Sequence, residues 1–464
     1  MFLLKLIYIL FLCNIVNIIK SKSLPDYSSN IKEGKELEIF NNIKSKIDVS
    51  YDKCPISHDV PVISALNIES EKIKKLLTFV LYKIPYIGSP LEGFSIAFWP
   101  DQEKDVWLEI KDKVKNVIDK NTLLTISGIL SGDIRMYKER INQLSSEIKN
   151  PTNNASSHYM NIAEDLIGFE NKFMFDKNYA DYKNINYHLL PLYSTVISMK
   201  ASYYTIGIKY SKKIGLTSNE VLKIKNYITN IIKSKDGANN YINNMLEDSL
   251  NNAYSTSNQF NIYNKIMSIK GHIGIHGLEY IPMWNNLIDN PFSDEKININ
   301  IISYSILVGR VTLNINKQLL NISQPLTPNL INGTRNAIVS IGVYIWRIHN
   351  APRIGGINIF FKNGDNYSLG ESTSEYKKFD LNGSVIKTLQ VHGDGAIDRL
   401  VFYLSDKRIL SYGEEKIPKP SNRNYEKKFE EDSHHISSLF LSNDAYNCGL
   451  AGQAANIAVS YQLD

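Results

Sequence analysis

The chain has 464 residues, enough for two or three domains, and its 43% hydrophobic and 21% charged residues are ordinary for a folded globular protein and argue against wholesale disorder. A formal charge of +5 is small for this length, and the lysines are spread along the chain without a dense basic block, which argues against nucleic-acid binding.

The first residues, "MFLLKLIYILFLCNIVNIIKSKS", combine an early Lys, an apolar run from Leu6 to Ile19 and the small residues Ser21 and Ser23. This is the pattern of a secretory signal peptide (residues 1–23). Asn14, Asn17 and Lys20 interrupt the run and argue against a membrane anchor. The expectation is a secreted, extracellular protein that is soluble before it meets a membrane. Residues 24–60 form an N-terminal segment open to processing. Cys13 would leave with the signal, so Cys54 and Cys448 are the disulfide candidates, the alternative being two separate buried thiols. Sequons at Asn154, Asn321, Asn332, Asn366 and Asn382 are glycosylation candidates and fit secretion.

Residues 61–285 carry helical periodicity. In "DQEKDVWLEIKDKVKNVIDK", Val106, Trp107, Ile110, Val114, Val117 and Ile118 make one apolar stripe on a charged helix. Leu130, Ile134, Tyr137, Ile141, Leu144 and Ile148 then step by four and three, a bundle-type seam that ends near "NPTNN". A helix is expected over residues 157–175. "TSNE" (Thr217 to Glu220) has the form of a capping box and opens another helix, which Gly237 bends or breaks. A last helix is expected over residues 259–270.

One segment stands apart. "YHLLPLYSTVISMKASYYTIGIKY" (Tyr187 to Tyr210) is apolar or small nearly all round, so it belongs at the centre of a bundle, surrounded by amphipathic helices. At 1.5 Å per residue it would be roughly 35 Å long, enough to cross a bilayer core, although Lys200 is expensive at mid-membrane.

Over residues 297–464 strand-length alternations appear, broken by Gly, Asn and Asp. "RIGGINIFFKNGDNYSLGE" and "AIDRLVFYLSDKRILSYGE" repeat one pattern at a constant offset of 43 residues: Ile354 matches Ile397, Ile357 Leu400, Ile359 Phe402, Phe361 Leu404, and Gly370-Glu371 matches Gly413-Glu414. A weaker third copy places Ala454, Ile457, Val459 and Tyr461 at the same positions. A second strand precedes each copy, at residues 338–343, 385–391 and 435–441. The unit is a β-hairpin used three times, which points to three small sheets about a pseudo-threefold axis, a β-prism. The fold class is therefore multi-domain α and β: a seven-helix-type bundle followed by a three-hairpin antiparallel β-prism.

No catalytic constellation stands out, and the protein is expected to be neither an enzyme nor a cofactor binder. His272, His276 and Glu279 share a spacing compatible with metal ligation, but three glycines weaken their helix and no Glu follows the first His, so no metal is expected. His434 and His435 are neighbours on a strand, point to opposite faces and make a poor chelate. The hairpin connections are the better recognition candidates. They offer Trp346, Arg347, His349 and Arg353 in the first, Asp394 in the second, and Asn443 and Tyr446 in the third, as receptor- or glycan-binding residues.

Two stretches together resemble one family. "IAFWPDQEKDVWLEIKDKVKNVIDKNTLLTISGILSGDIRMYKERINQL" is similar to the second and third helices of the insecticidal delta-endotoxins, and "LLPLYSTVISMKASYY" to their central fifth helix. The β-prism repeat resembles their second domain and the jacalin-related lectins. The resemblance runs over roughly residues 60–464 and implies the family's first two domains, with its third, β-sandwich domain absent. Lys200 stands where the family usually has a His. By this resemblance the prism docks on a cell-surface receptor or glycan, and two helices, about residues 157–179 and 188–210, leave the bundle as a hairpin and enter lipid. Leu189, Leu190, Leu192, Val196, Ile197, Met199, Tyr203 and Ile206 are the membrane-insertion candidates it implies. Membrane lipid is then a partner, with a homo-oligomer in the membrane. The competing expectation is a secreted glycan- or protein-binding module in which the bundle is a non-inserting scaffold.

Overall fold

The four-and-three seam at Leu130–Ile148 becomes a long helix interrupted by one wide turn. In the computed structural model the described residues are 91, 94–95, 98–99, 111, 120–149, 154–176, 178, 182–256, 262–292, 297, 299, 301–309, 330–331, 334–348, 351–394, 396–414, 424–431, 433–442 and 453–464. All of them belong to one unit of the chain, helical first and antiparallel β afterwards. The expectations for the signal segment, the N-terminal segment, the stripe at Val106–Ile118, Cys54, Cys448, Asn321, Asn332, His349, Asn443 and Tyr446 fall outside the described residues.

The helices are α1 (Lys120–Ile129), α2 (Arg135–Lys149), α3 (Ala155–Asp165), α4 (Tyr182–Lys209), α5 (Ser211–Ile214), α6 (Ser218–Lys233), α7 (Ala238–Thr256), α8 (Ile262–Ile273) and α9 (Tyr280–Asp289). A π-helical turn, Leu130–Ile134, joins α1 to α2, and the whole apolar seam is buried. The helix expected over 157–175 stops at Asp165. Gly168 takes φ 72°, and Phe169–Phe173 tighten into a 3₁₀ turn. The capping box is present: Thr217 Oγ1 accepts from the Glu220 N–H, and the Glu220 carboxylate accepts from the Thr217 N–H. Where a last helix was expected over 259–270, α8 runs on through a second π turn, Gly274–Leu278, into α9. The glycines expected to weaken this helix instead admit close neighbours. A Cβ on Gly274 would meet Ser303 at 2.6 Å, and one on Gly277 would meet Ile242 at 2.9 Å.

The strands are β1 (Ser303–Tyr304), β2 (Val308–Gly309), β3 (Leu330–Ile331), β4 (Thr334–Arg335), β5 (Ile338–Ile348), β6 (Ala351–Phe361), β7 (Asn366–Gly370), β8 (Glu375–Asp380), β9 (Ile386–Asp394), β10 (Arg399–Leu404), β11 (Ile409–Gly413), β12 (Asn424–Phe429), β13 (His434–Ser442) and β14 (Asn456–Leu463). The repeat governs their order. One sheet runs β7-β6-β5-β8; a second arrangement runs β11-β10-β9-β12; in a third, β1 and β2 flank β14, which pairs with β13. One pairing, Ile386 with Ile436, joins the last two into a single sheet.

The inward positions of the repeat meet in one core. Ile354, Ile357, Ile359 and Phe361 pack in the same cluster as Ile397, Leu400, Phe402 and Leu404 and as Ala454, Ile457, Val459 and Tyr461. At its centre the first residue of each copy closes a ring of backbone hydrogen bonds. The Ile354 N–H donates to the Ile397 carbonyl (3.3 Å), Ile397 to Ala454 (2.8 Å), and Ala454 back to Ile354 (2.7 Å).

The repeated glycine also has three copies, one more than the sequence reading found. Gly370, Gly413 and Gly309 take φ of 80°, 98° and 104°. Each turns back on the residue after a ring member: a Cβ would stand 2.6 Å from the Gly355 carbonyl, 2.1 Å from that of Asp398 and 2.2 Å from that of Ala455. Any side chain at these positions would clash as well as strain the backbone. Gly309 precedes the first repeat in the chain yet completes the third copy, through β14.

The third copy faces the helices. The Asn264 side chain clamps the backbone of Leu307, donating to its carbonyl (3.1 Å) and accepting from its N–H (2.8 Å). His434 Nε2 lies 2.9 Å from the Glu279 carboxylate, both side chains fully buried. A buried ionisable pair of this kind makes the joint costly to open from one side only.

Candidate functional site

Every residue from Ile185 to Ile208 in α4 is buried. The insertion candidates Leu189, Leu190, Leu192, Val196, Ile197, Met199, Tyr203 and Ile206 all lie at 1% exposure or less, so the structure brings them together along one enclosed helix. At 28 residues α4 is about 42 Å long. It is enclosed on all sides, yet it is not a hydrocarbon rod. No described helix is both long and apolar enough to cross a membrane. The length expected from the sequence is present, and hydroxyls and one ammonium lower the helix's apolarity.

Those polar groups have specific partners. Ser194 donates to the His276 carbonyl (2.5 Å), Thr195 to that of Pro191 (2.7 Å), Ser198 to that of Ser194 (2.7 Å) and Thr205 to that of Ala201 (2.8 Å). Ser198 also accepts from the Trp284 indole (3.0 Å). Tyr159 of α3 and Tyr203 of α4 stack at 4.5 Å, and each hydroxyl donates to the other residue's carbonyl. Tyr204 donates to the Ala163 carbonyl at 3.0 Å. Burial raises the phenols of Tyr159 and Tyr203 well above the usual tyrosine value, so these hydroxyls stay donors. Ser202 is the exception: its Oγ is buried without a partner.

Lys200, fully buried, ion-pairs with Glu170 of the 3₁₀ turn that follows α3. Burial lowers the ammonium from the ordinary lysine value, and the Glu170 carboxylate opposes that shift. Thirty residues of sequence separate the partners, and no local pattern links Glu170 to α4. A second missed partner is His272. Pro191 lies inside α4 and has no N–H to offer the Tyr187 carbonyl one turn back. His272 Nε2 meets that carbonyl at 2.8 Å and takes the place of the missing donor. The carbonyl fixes the proton on Nε2, and Nδ1 is buried without a partner. Burial accordingly holds the imidazole down, at about 4. His272 and His276 stand 4.8 Å apart ring to ring, but Glu279 is turned to His434. Among the described residues no group of three or more His, Cys, Asp or Glu side chains is placed to hold a metal.

The recognition candidates are scattered. Trp346 is half-buried on β5, opposite Arg353 on β6. Arg347 is exposed and held in a two-pronged pair with Glu375 at 2.7 and 3.1 Å. Arg353 is engaged inside the fold, 2.5 Å from Asp398 and 3.1 Å from Glu414, beside the hydrogen-bonded ring. Gln453 completes that knot by donating to Asp398 (2.9 Å). Asp394 ends β9, paired with Asn424, and its side chain lies outside the described residues. The sequons at Asn154, Asn366 and Asn382 are exposed.

With this geometry in place, comparison with solved structures is informative. The chain is similar to PirB, at 26% identity over 85% of this chain and 94% of that one, with a TM-score of 0.75. It is similar to the Bacillus thuringiensis insecticidal crystal protein Cry7Ca1, at 13% identity over 86% of this chain and 75% of that one, TM-score 0.61. The insecticidal delta-endotoxin Cry8Ea1 from the same organism gives 10% identity over 87% and 74%, TM-score 0.61. No family model and no curated protein matches the chain. The shared feature is the fold, a helical part followed by an antiparallel β part, and with it the chain is toxin-like in architecture.

Proposed function

We propose that this is a secreted, pore-forming toxin-like protein that recognises a cell surface through its β part and inserts a helical hairpin, α3 with α4, into the membrane. The observation that carries the reading is α4, a helix enclosed along its whole middle within a fold shared with insecticidal crystal toxins. In this reading the helices form a seven-helix-type bundle and the three hairpins a β-prism. The hydrogen-bonded ring at Ile354, Ile397 and Ala454 supports the threefold arrangement. The tyrosine hydroxyls tie α4 to α3 and the Lys200–Glu170 pair ties it to the turn that follows, so in this reading they travel together, and the polar residues of α4 would face a neighbouring helix or water rather than lipid. A receptor or glycan, membrane lipid and further copies of the chain in the membrane are the partners.

One observation favours a second reading: the serines, threonines and Lys200 leave α4 too polar to span a bilayer alone. The protein would then be a secreted glycan- or protein-binding module with a non-inserting helical scaffold. Dye release from lipid vesicles separates the two, with and without limited proteolysis and with a Leu192→Asp variant checked for folding by circular dichroism. Release that a folded Leu192→Asp protein lacks is the result expected. Absence of release under every lipid and protease condition would overturn the pore-forming reading, and glycan screening would follow.

A further inference from the structure

The three copies of the repeat present different outward faces. That of the third is buried on the helical side, Ser303, Ser460 and Gln462 with it. On the second, outward groups engage one another: Tyr403 donates to Gln390 at 2.8 Å, and Gln390 donates to Glu426. On the first, Ile341, Val343, Ile357 and Ile359 point into the core. Their neighbours Tyr344, Asn358 and Phe360 therefore face outward, with Tyr376 and Lys378 beside them on β8.

A glycine sets the geometry of this first face. Tyr376 lies across Gly342 of β5, where a Cβ would stand 2.0 Å from its hydroxyl and 2.3 Å from its ring. Only a strand residue without a side chain admits so close an approach. Tyr344 packs against Tyr376 with centroids 4.7 Å apart, and Tyr376 keeps 38% exposure. Lys378 also reaches over β5, to place Nζ 4.1 Å from the centre of the Phe360 ring. Asn358 stands opposite Gly342, between these two pairs. Its side chain bonds the Tyr376 hydroxyl, and its Oδ1 is buried without a partner. Exposed Ser368 of β7 flanks Asn358 on the other side.

We infer that this platform binds one neutral pyranose ring of a cell-surface glycan. The Tyr376 ring offers a flat surface to the C–H face of a sugar, and the unused Asn358 oxygen accepts from a sugar hydroxyl. Charge does not select an acidic sugar, because Lys378 is held over Phe360 and Asp380 shares its side of β8. Size separates a sugar from a protein partner. The platform spans two strand spacings by two residues, about 10 Å by 7 Å. A stable protein interface needs about 800 Å² from each partner, roughly tenfold more. The inference gives the surface recognition proposed above a place and a ligand class, and rests on that reading for its role.

The test is saturation-transfer difference NMR on the full chain, made without N-glycans because Asn366 borders the platform opposite Phe360. The probes are the methyl glycosides of galactose, glucose, mannose and N-acetylglucosamine. Ser368→Trp, which crowds Asn358 from β7, is compared with Ser411→Trp, the same position in the second copy of the repeat. The platform predicts transfer to the ring protons of at least one glycoside. Binding should weaken about tenfold or more in Ser368→Trp and about fivefold in Asn358→Ala, and hold in Ser411→Trp, with every variant folded by circular dichroism. Equal binding by all variants, or binding of none of the four glycosides, would overturn it. A dimer that Ser368→Trp dissolves in analytical ultracentrifugation would also overturn it, and would assign the platform to a second copy of the chain. Sugar binding without dye release would leave the platform standing and remove the pore-forming reading; dye release from lipid vesicles without sugar binding would do the reverse.

Discussion

The two interiors of this protein are built from different materials. The β part packs around aliphatic and aromatic side chains supplied by the three copies of the repeat, and the hydrogen bonds at its heart join backbone to backbone. The interior around α4 adds to its aliphatic side chains a set of hydroxyls, tyrosines, histidines and an ion pair, many of them bonded across to another helix or to their own turn. An aliphatic core loses its contacts outright when opened. A hydroxyl-rich interior can trade its partners for water, for headgroups or for another copy of the same helix. In the proposed function, that difference would leave the β part as the lasting element and let the helical interior rearrange at a membrane.

The largest expected effects probe each interior by its own logic. Phe402→Ala in the β core should cost about 3–5 kcal/mol of stability, read as a lower urea midpoint. It should leave vesicle leakage per folded molecule unchanged. Glu170→Gln strands the Lys200 ammonium in the interior and should cost a similar amount, about 3–5 kcal/mol, while accelerating leakage. Equal effects of the two variants on leakage would erase the distinction between the interiors.

His272 sharpens the comparison at an intermediate scale. Its pKa in the fold, about 4, lies below the ordinary value of 6.5, so the unfolded chain binds more protons between those pH values. The stability His272 permits is fully present above pH 6.5 and falls as the pH drops toward 4, by up to about 3 kcal/mol. His272→Phe should flatten that part of the urea-midpoint profile. At neutral pH it should cost about 1–3 kcal/mol by leaving the Tyr187 carbonyl without a donor. Pro191→Ala restores an N–H in the same turn, and the double variant should recover much of that loss. Smaller still, Tyr203→Phe removes one interhelical hydroxyl bond and should cost about 1 kcal/mol.

Much of the β part was legible because its inward residues recur at one fixed spacing, so Ile354, Ile397 and Ala454 could be matched before any backbone was seen. The ring that joins them was not legible, since it uses main-chain atoms that every residue has. Gly309 escaped notice because it precedes the first repeat in the chain. The likeness of "SILVG" to "NYSLG" and "ILSYG" was the available signal. In the helical part the absence of a polar face identified α4, and the "TSNE" box set the start of α6. The partners were invisible: Glu170 lies across a turn from Lys200, and His272 answers a carbonyl that only the placement of Pro191 inside a helix leaves short of a donor. Arg353 illustrates the same limit. Its residue type is suited to ligands, and only the fold places Asp398 and Glu414 around its guanidinium.

The central claim is that α4 is enclosed in solution and exposed at a membrane. Ser202 offers the most direct probe, since its hydroxyl is buried without a partner and a thiol there loses no hydrogen bond. A Ser202→Cys variant would be exposed to a maleimide in solution and again with anionic vesicles, with the parent protein run beside it to subtract its own thiols. The account predicts slow labelling of residue 202 in solution and, once vesicles are added, labelling faster by at least an order of magnitude. Labelling that stays equally slow with vesicles present, while the protein is bound to them, would contradict it and leave α4 as the fixed centre of a scaffold.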